Sequence, residues 1–128
     1  MNCPFCKTRL DKHEAGNCLD AWLHRLMYPG DKVKRFTGNY VAISAPPAPA
    51  QANRIDKFST KISVAWSVID HFEQLGYSIR LQKTDEQNKW WCYFSRHTNH
   101  GIAQYGNTVK LAITKAAIAA MGDAKANA

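Results

Sequence analysis

Three of the four cysteines and one histidine fall close together at the start of the chain, as Cys3, Cys6, His13 and Cys18. Their spacing, C-x2-C-x6-H-x4-C, offers three thiolates and an imidazole, a donor set suited to a tetrahedral structural zinc ion. Closing such short loops on a metal contributes folding energy directly. Cys18 falls at the first turn of an expected helix, where the positive end of the helix dipole favours a thiolate. His24 or Cys92 could replace one donor, less economically. The competing reading is a reduced, unstructured tail with Cys18 alone in the core. The close C-x2-C pair favours a zinc ion as the cofactor.

Catalytic use of that metal fits poorly. A zinc deaminase needs H-x-E upstream of P-C-x-x-C, whereas here the C-x2-C comes first and His13 is followed directly by Glu14. Four protein ligands also leave no position for a reacting water. A second stretch, Arg96-His97-Thr98-Asn99-His100-Gly101, invites a Cys/His catalytic reading with Cys92. No third, orienting group accompanies it, and Cys92 alternates onto a strand face with Trp90 and Phe94. The chain is therefore expected not to be an enzyme.

Binding residues form a third group. Arg35, Arg80, Lys89 and Arg96 lie on expected strands and turns, with Trp91 and Tyr93 among them, a mixture that can meet phosphates and stack bases. The alternative is a set of core aromatics beneath a solvated basic rim. Ser59-Thr60 and Asn107-Thr108 each put a hydroxyl at a helix start, where an anion such as a nucleotide phosphate can be held, although capping explains them equally well.

The elements that must position these residues follow from periodicity. Asn17 is expected to cap a first helix, with Asp20 completing a box-like pair. Leu19, Trp22, Leu23 and Leu26 form its apolar stripe, and Tyr28-Pro29-Gly30 stops it. Residues 33–36 and 40–43 read as a hairpin around Thr37-Gly38-Asn39. The Ala/Pro run 45–53 reads as an extended, mobile linker, with Pro46 and Pro49 as a spacer rather than a ligand. A second helix, capped by Ser59 or Thr60, carries Ile62, Ala65, Trp66, Ile69 and Phe72 on one face, ends at Gly76, and is expected to be the central packing helix. Residues 77–83 and 89–96 alternate as strands, and large side chains on both faces of the latter imply that both sides of the sheet are at least partly covered. Residues 102–105 form a short edge strand. Asn107 or Thr108 caps a third helix over 109–121, and 123–128 is a fraying tail. The fold class is α+β: an antiparallel sheet between helical layers, in the order α-β-β-α-β-β-(β)-α.

With 128 residues, the chain is sized for one domain, here 17–122 with 1–18 as the clip. Hydrophobic content of 45% excludes wholesale disorder. No apolar run approaches the roughly 20 residues of a membrane span, and the Cys-rich start is no secretory signal. Reduced thiols and these absences place the protein in the cytoplasm. The net charge of +7 favours anionic partners.

Three blocks, taken together, carry a family resemblance. They are His13-Glu14-Ala15-Gly16-Asn17-Cys18-Leu19-Asp20-Ala21-Trp22, then Phe58-Ser59-Thr60-Lys61-Ile62 running to Ala65-Trp66, then Asn107-Thr108 with Leu111-Ala112-Ile113 and Ala116-Ala117. With Trp90-Trp91-Cys92 between them, they resemble the phage ABA-sandwich domain over roughly residues 13–121. Lys61 stands where that family tends to carry an acidic residue, and residues 3–6 lie outside the shared core. The resemblance implies a sheet between helical layers and an accessory phage or prophage product acting on the host cell. It implies no mechanism. The expected role is binding a host protein or a nucleotide ligand; a small basic nucleic-acid-binding protein is the alternative.

Overall fold

The computed structural model describes residues 1–44, 52–86, 88–96, 99–100 and 103–126. Helix α1 spans Asn17–Met27 and buries Leu19, Trp22 and Leu23, with Leu26 half-buried. Its start differs from the expected capping box. Gly16 holds the N-cap position, and the Asn17 amide turns instead to the Tyr40 backbone, accepting from its N–H at 2.5 Å and donating to its carbonyl at 3.2 Å. The Asp20 carboxylate points away from its own helix end and accepts from the N–H and hydroxyl of Ser59 at 2.8 and 2.6 Å. Both side chains join segments distant in sequence, a use that local spacing does not encode.

Strands β1 (Lys32–Phe36) and β2 (Asn39–Ile43) pair antiparallel, with Phe36 opposite Asn39. The two-residue turn between them puts Thr37 and Gly38 at φ 47° and 85°, the left-handed pair whose twist matches a hairpin. Strand β3 (Ala52–Arg54) adds to β2, so the end of the expected linker is a sheet strand. Pro46 and Pro49 lie outside the described residues.

Helix α2 spans Ile62–Gln74 and buries Ala65, Val68, Ile69 and Phe72. Ile62 and Trp66, expected on that face, are 44% and 47% exposed. At about 100° per residue they fall about 60° and 100° to one side of Ala65, beyond an arc whose other edge is held by Val68. The end is as expected. Gly76 adopts φ 92°, its N–H bonds to Glu73 O at 3.0 Å, and Tyr77 N–H bonds to Phe72 O at 3.0 Å. This is a Schellman cap, closed by the Phe72 and Tyr77 rings 5.2 Å apart.

The second sheet is built on β5 (Trp90–Arg96), paired with β4 (Ser78–Lys83) on one edge and with β6 (Asn99–His100) and β7 (Gln104–Gly106) on the other, all antiparallel. Its inner face supplies Cys92 and Phe94 to the core. The outer face is only partly covered and is the more open one: Tyr105 is 48% exposed and Trp91 and Tyr93 are half-buried.

Helix α3 (Val109–Ala126) starts with Thr108 as its cap, the Thr108 Oγ1 accepting from Leu111 N–H at 3.2 Å. Every residue from 111 to 120 is buried. This helix, rather than α2, is the centre of the molecule, and α1, α2, β5 and β7 all pack on it. A helix apolar all round belongs inside, and its alanines let neighbours approach on every side. At Gly106 a Cβ would fall 2.7 Å from the Ala112 backbone nitrogen, so only glycine fits where β7 meets α3. The fold is α+β: among the described residues, three α-helices are interleaved along the chain with two antiparallel sheets.

Candidate metal centre

The four N-terminal donors converge. Cys3, Cys6, His13 and Cys18 present ligand atoms that all lie within 4.8 Å of one another. A compact knuckle places the first two. Cys3 N–H bonds to Thr8 O at 2.9 Å, Lys7 N–H returns to Cys3 O at 3.0 Å, and Asn2 bridges to Arg9. Turning this tightly puts Lys7 in the left-handed region at φ 67°. A single 3-10 turn at Leu10–Lys12, anchored by buried Leu10, then delivers His13. Helix α1 supplies Cys18 from its first turn.

Within the cluster, Cys3 Sγ lies 3.7 Å from Cys18 Sγ, and Cys6 Sγ lies 3.3 Å from His13 Nε2. His13 Nδ1 donates to Glu14 O at 2.8 Å. That bond fixes the proton on Nδ1 and leaves the Nε2 lone pair for the cluster, the usual orientation of a ligating imidazole. All four cysteines are free thiols.

Charge is shared unequally. Partial burial pulls the Cys6 thiol up, but the Thr8 hydroxyl and backbone, Cys3 and Cys18 outweigh it and bring it to about 6. Burial, with Cys3 and Cys6 beside it, pushes Cys18 up to about 12. The cluster therefore favours a thiolate at Cys6 and disfavours one at Cys18, as coupled sites do. A cation would remove that penalty, because thiolate ligands bind as anions.

The alternatives to these donors lie elsewhere. His24 pairs with Asp31 at 3.0 Å. Cys92 is fully buried, and burial pushes its thiol to about 12, which leaves it without nucleophile character. Its suggested partners His97, Thr98 and Gly101 lie outside the described residues.

The expected binding residues separate. Arg80, Lys89, Trp91 and Tyr93 share the open face of the second sheet. Arg96 is on the opposite face, its guanidinium 4.7 Å over the Tyr77 ring. Arg35 belongs to the first sheet, over Tyr40 at 5.9 Å. Ser59 does not cap α2 with its hydroxyl: Lys61 is the N-cap, and the buried Ser59 hydroxyl donates to Asp20 and accepts from Gly16 N–H at 2.9 Å. Thr60 is exposed beside it. Two residues escaped the sequence reading. Tyr105 joins the open face; flanked by Gln104 and Gly106 it alternates in sequence as the inward residue, and only the register with Trp91 places it outside. Lys115, buried in α3, donates to Asp11 O at 3.1 Å and ties the clip to the core; no sequence signal points to that bond.

Among the described residues, no helix is long and apolar enough to cross a membrane. No curated protein shows a matching sequence. The profile of the Phage ABA sandwich domain matches residues 32–118, from β1 through most of α3, leaving the Cys/His cluster and α1 on its N-terminal side. With that match over more than half its length, the chain belongs to the Phage ABA sandwich domain family.

Proposed function

We propose that the chain is a non-catalytic phage or prophage accessory protein that acts in the host cytoplasm by binding, with its N-terminus held by one structural zinc ion. The observation that carries the metal reading is the convergence of Cys3, Cys6, His13 and Cys18. A tetrahedral zinc with bonds of about 2.3 Å to sulfur and about 2.0 Å to nitrogen has ligand–ligand edges of about 3.5–3.8 Å. The contacts of 3.7 and 3.3 Å sit close to that scale. Soft thiolates with one imidazole favour zinc over harder divalent ions.

Four protein donors close the coordination shell, so the metal would fasten rather than react. It would pin the knuckle to α1, which packs on both α3 and β2. A phage context, a basic chain and a metal used for shape together support binding, with a host protein or a nucleotide-bearing ligand as the partner. Elemental analysis of the purified chain tests the first step. About one zinc per chain is expected, lost in the Cys3→Ser/Cys6→Ser double variant. A chain purified without chelator that carries no zinc, and takes up none on titration, sinks the reading.

A further inference from the structure

The open face of the second sheet is defined by register. Trp91 on β5 lies opposite Gln82 on β4 and opposite Tyr105 on β7, and Tyr93 lies opposite Arg80. The Trp91 and Tyr93 rings are 6.0 Å apart and 20° from parallel. Lys89 Nζ sits 4.9 Å over the Tyr105 ring centroid and 3.2 Å from the Glu86 carboxylate. Arg80 is exposed and makes no ion pair among the described residues. Three aromatic rings thus span two neighbouring strands, with a cation at either side.

We infer that this face binds single-stranded nucleic acid, with bases stacked on Trp91, Tyr93 and Tyr105 and phosphates met by Arg80 and Lys89. Unpaired bases have free π-faces, and stacking them on aromatics is the main sequence-tolerant source of affinity for single strands. Half-buried rings on an open sheet are available for this, whereas rings in a core are not. The chemistry between the rings argues against a protein partner. Ser78 and Gln82 alternate onto the same face from β4, and an apolar partner surface would leave them desolvated without hydrogen bonds. Sugar and phosphate oxygens would satisfy them. The excess of cations across the chain draws the same polyanion in.

This inference names the partner class for the binding reading above and rests on it, but it does not depend on the metal. Fluorescence anisotropy of a labelled oligothymidylate of about twelve nucleotides, with the full zinc-loaded chain, tests it. Binding should be measurable at low salt, fall with rising salt, and be weaker for a duplex of the same length. Tyr105→Ala and Trp91→Ala should each weaken binding roughly 5- to 150-fold, and Arg80→Ala should lower the salt slope by about 1. Lys34→Ala removes the same charge from the first sheet and should change affinity by roughly two-fold at most. If Trp91→Ala fails to fold, the exposed positions Tyr105 and Arg80 still decide the matter. Three outcomes each overturn the proposal: no strand binding at low salt, a duplex bound as tightly as the strand, or self-association through this face in place of strand uptake. Zinc is measured on the same samples, so loss of strand binding by a zinc-loaded chain overturns the partner class and leaves the clip standing.

Discussion

The N-terminal clip and the α3 core hold their shape by opposite means. In the clip, the first sixteen residues bury only Cys3, Leu10 and His13, and what orders them is a knuckle of backbone hydrogen bonds beside the four metal-type donors. In the core, ten consecutive residues of α3 are buried, and the surrounding helices and strands contribute Phe72, Phe94, Leu19 and Leu23. The first is a directional arrangement that a single ligand can make or unmake. The second gains stability from area removed from water and fails only by losing volume. The two meet at Lys115, whose buried ammonium reaches the Asp11 carbonyl.

The largest expected effect separates them. Phe72 is fully buried and meets Phe94 and Tyr77 edge-on at 5.0 and 5.2 Å. Phe72→Ala should cost about 3–5 kcal/mol in urea unfolding and lower the melting point whether or not metal is bound. Chelation should behave otherwise. At about a hundred-fold excess of metal over its dissociation constant, binding adds about 2.7 kcal/mol, and removing it should abolish clip order while far-UV circular dichroism keeps the signal of α2 and α3. If chelation unfolds the core as fully as Phe72→Ala does, the two regions are one cooperative unit and the contrast fails.

What sequence could reveal divides along the same line. The donor set was legible because cysteine and histidine are scarce and their spacing is local. The hairpin turn at Gly38 and the Gly76 cap were legible because left-handed backbone favours glycine. Tertiary placement was not. Ile62 and Trp66 extend the stripe of α2 on paper, but only the position of α3 decides where the buried arc ends. Asp20 reads as half of a capping box, because the Ser59 that claims it lies 39 residues away. The alanines of α3 have too little amphipathic contrast to advertise a central helix. Alternation set Trp91 and Tyr93 on the face opposite Cys92 and Phe94, but only the packing shows how far that face is exposed.

A smaller effect probes the seam between the regions. Burial raises the Asp20 carboxyl to about 6 against the pull of the Ser59 hydrogen bonds. A carboxyl raised in the folded state favours the protonated form. Its contribution is therefore full below the unfolded value of 3.8 and is lost as pH rises through about 6. Asp20→Asn removes the ionisation while keeping an oxygen that can accept from Ser59. Relative to wild type, the variant should gain about 2 kcal/mol between about pH 4 and about pH 7.5. Acid release of metal affects both chains alike, so the difference in urea midpoints isolates Asp20. A constant difference across that range would mean that the carboxyl is not held up.

The smallest effect belongs to the knuckle alone. Lys7 sits at φ 67°, where a residue with a Cβ pays about 1 kcal/mol that glycine does not. Part of the relief is offset because glycine has more freedom to lose on folding. Lys7→Gly should therefore stabilise the closed clip by about 0.5 kcal/mol, and only while the clip is closed. A thermal scan with zinc should show a shift of a few degrees at most, and the shift should vanish with chelator. A gain that persists without metal would mean that the knuckle turn is set by the chain itself, and that zinc closes a loop already folded.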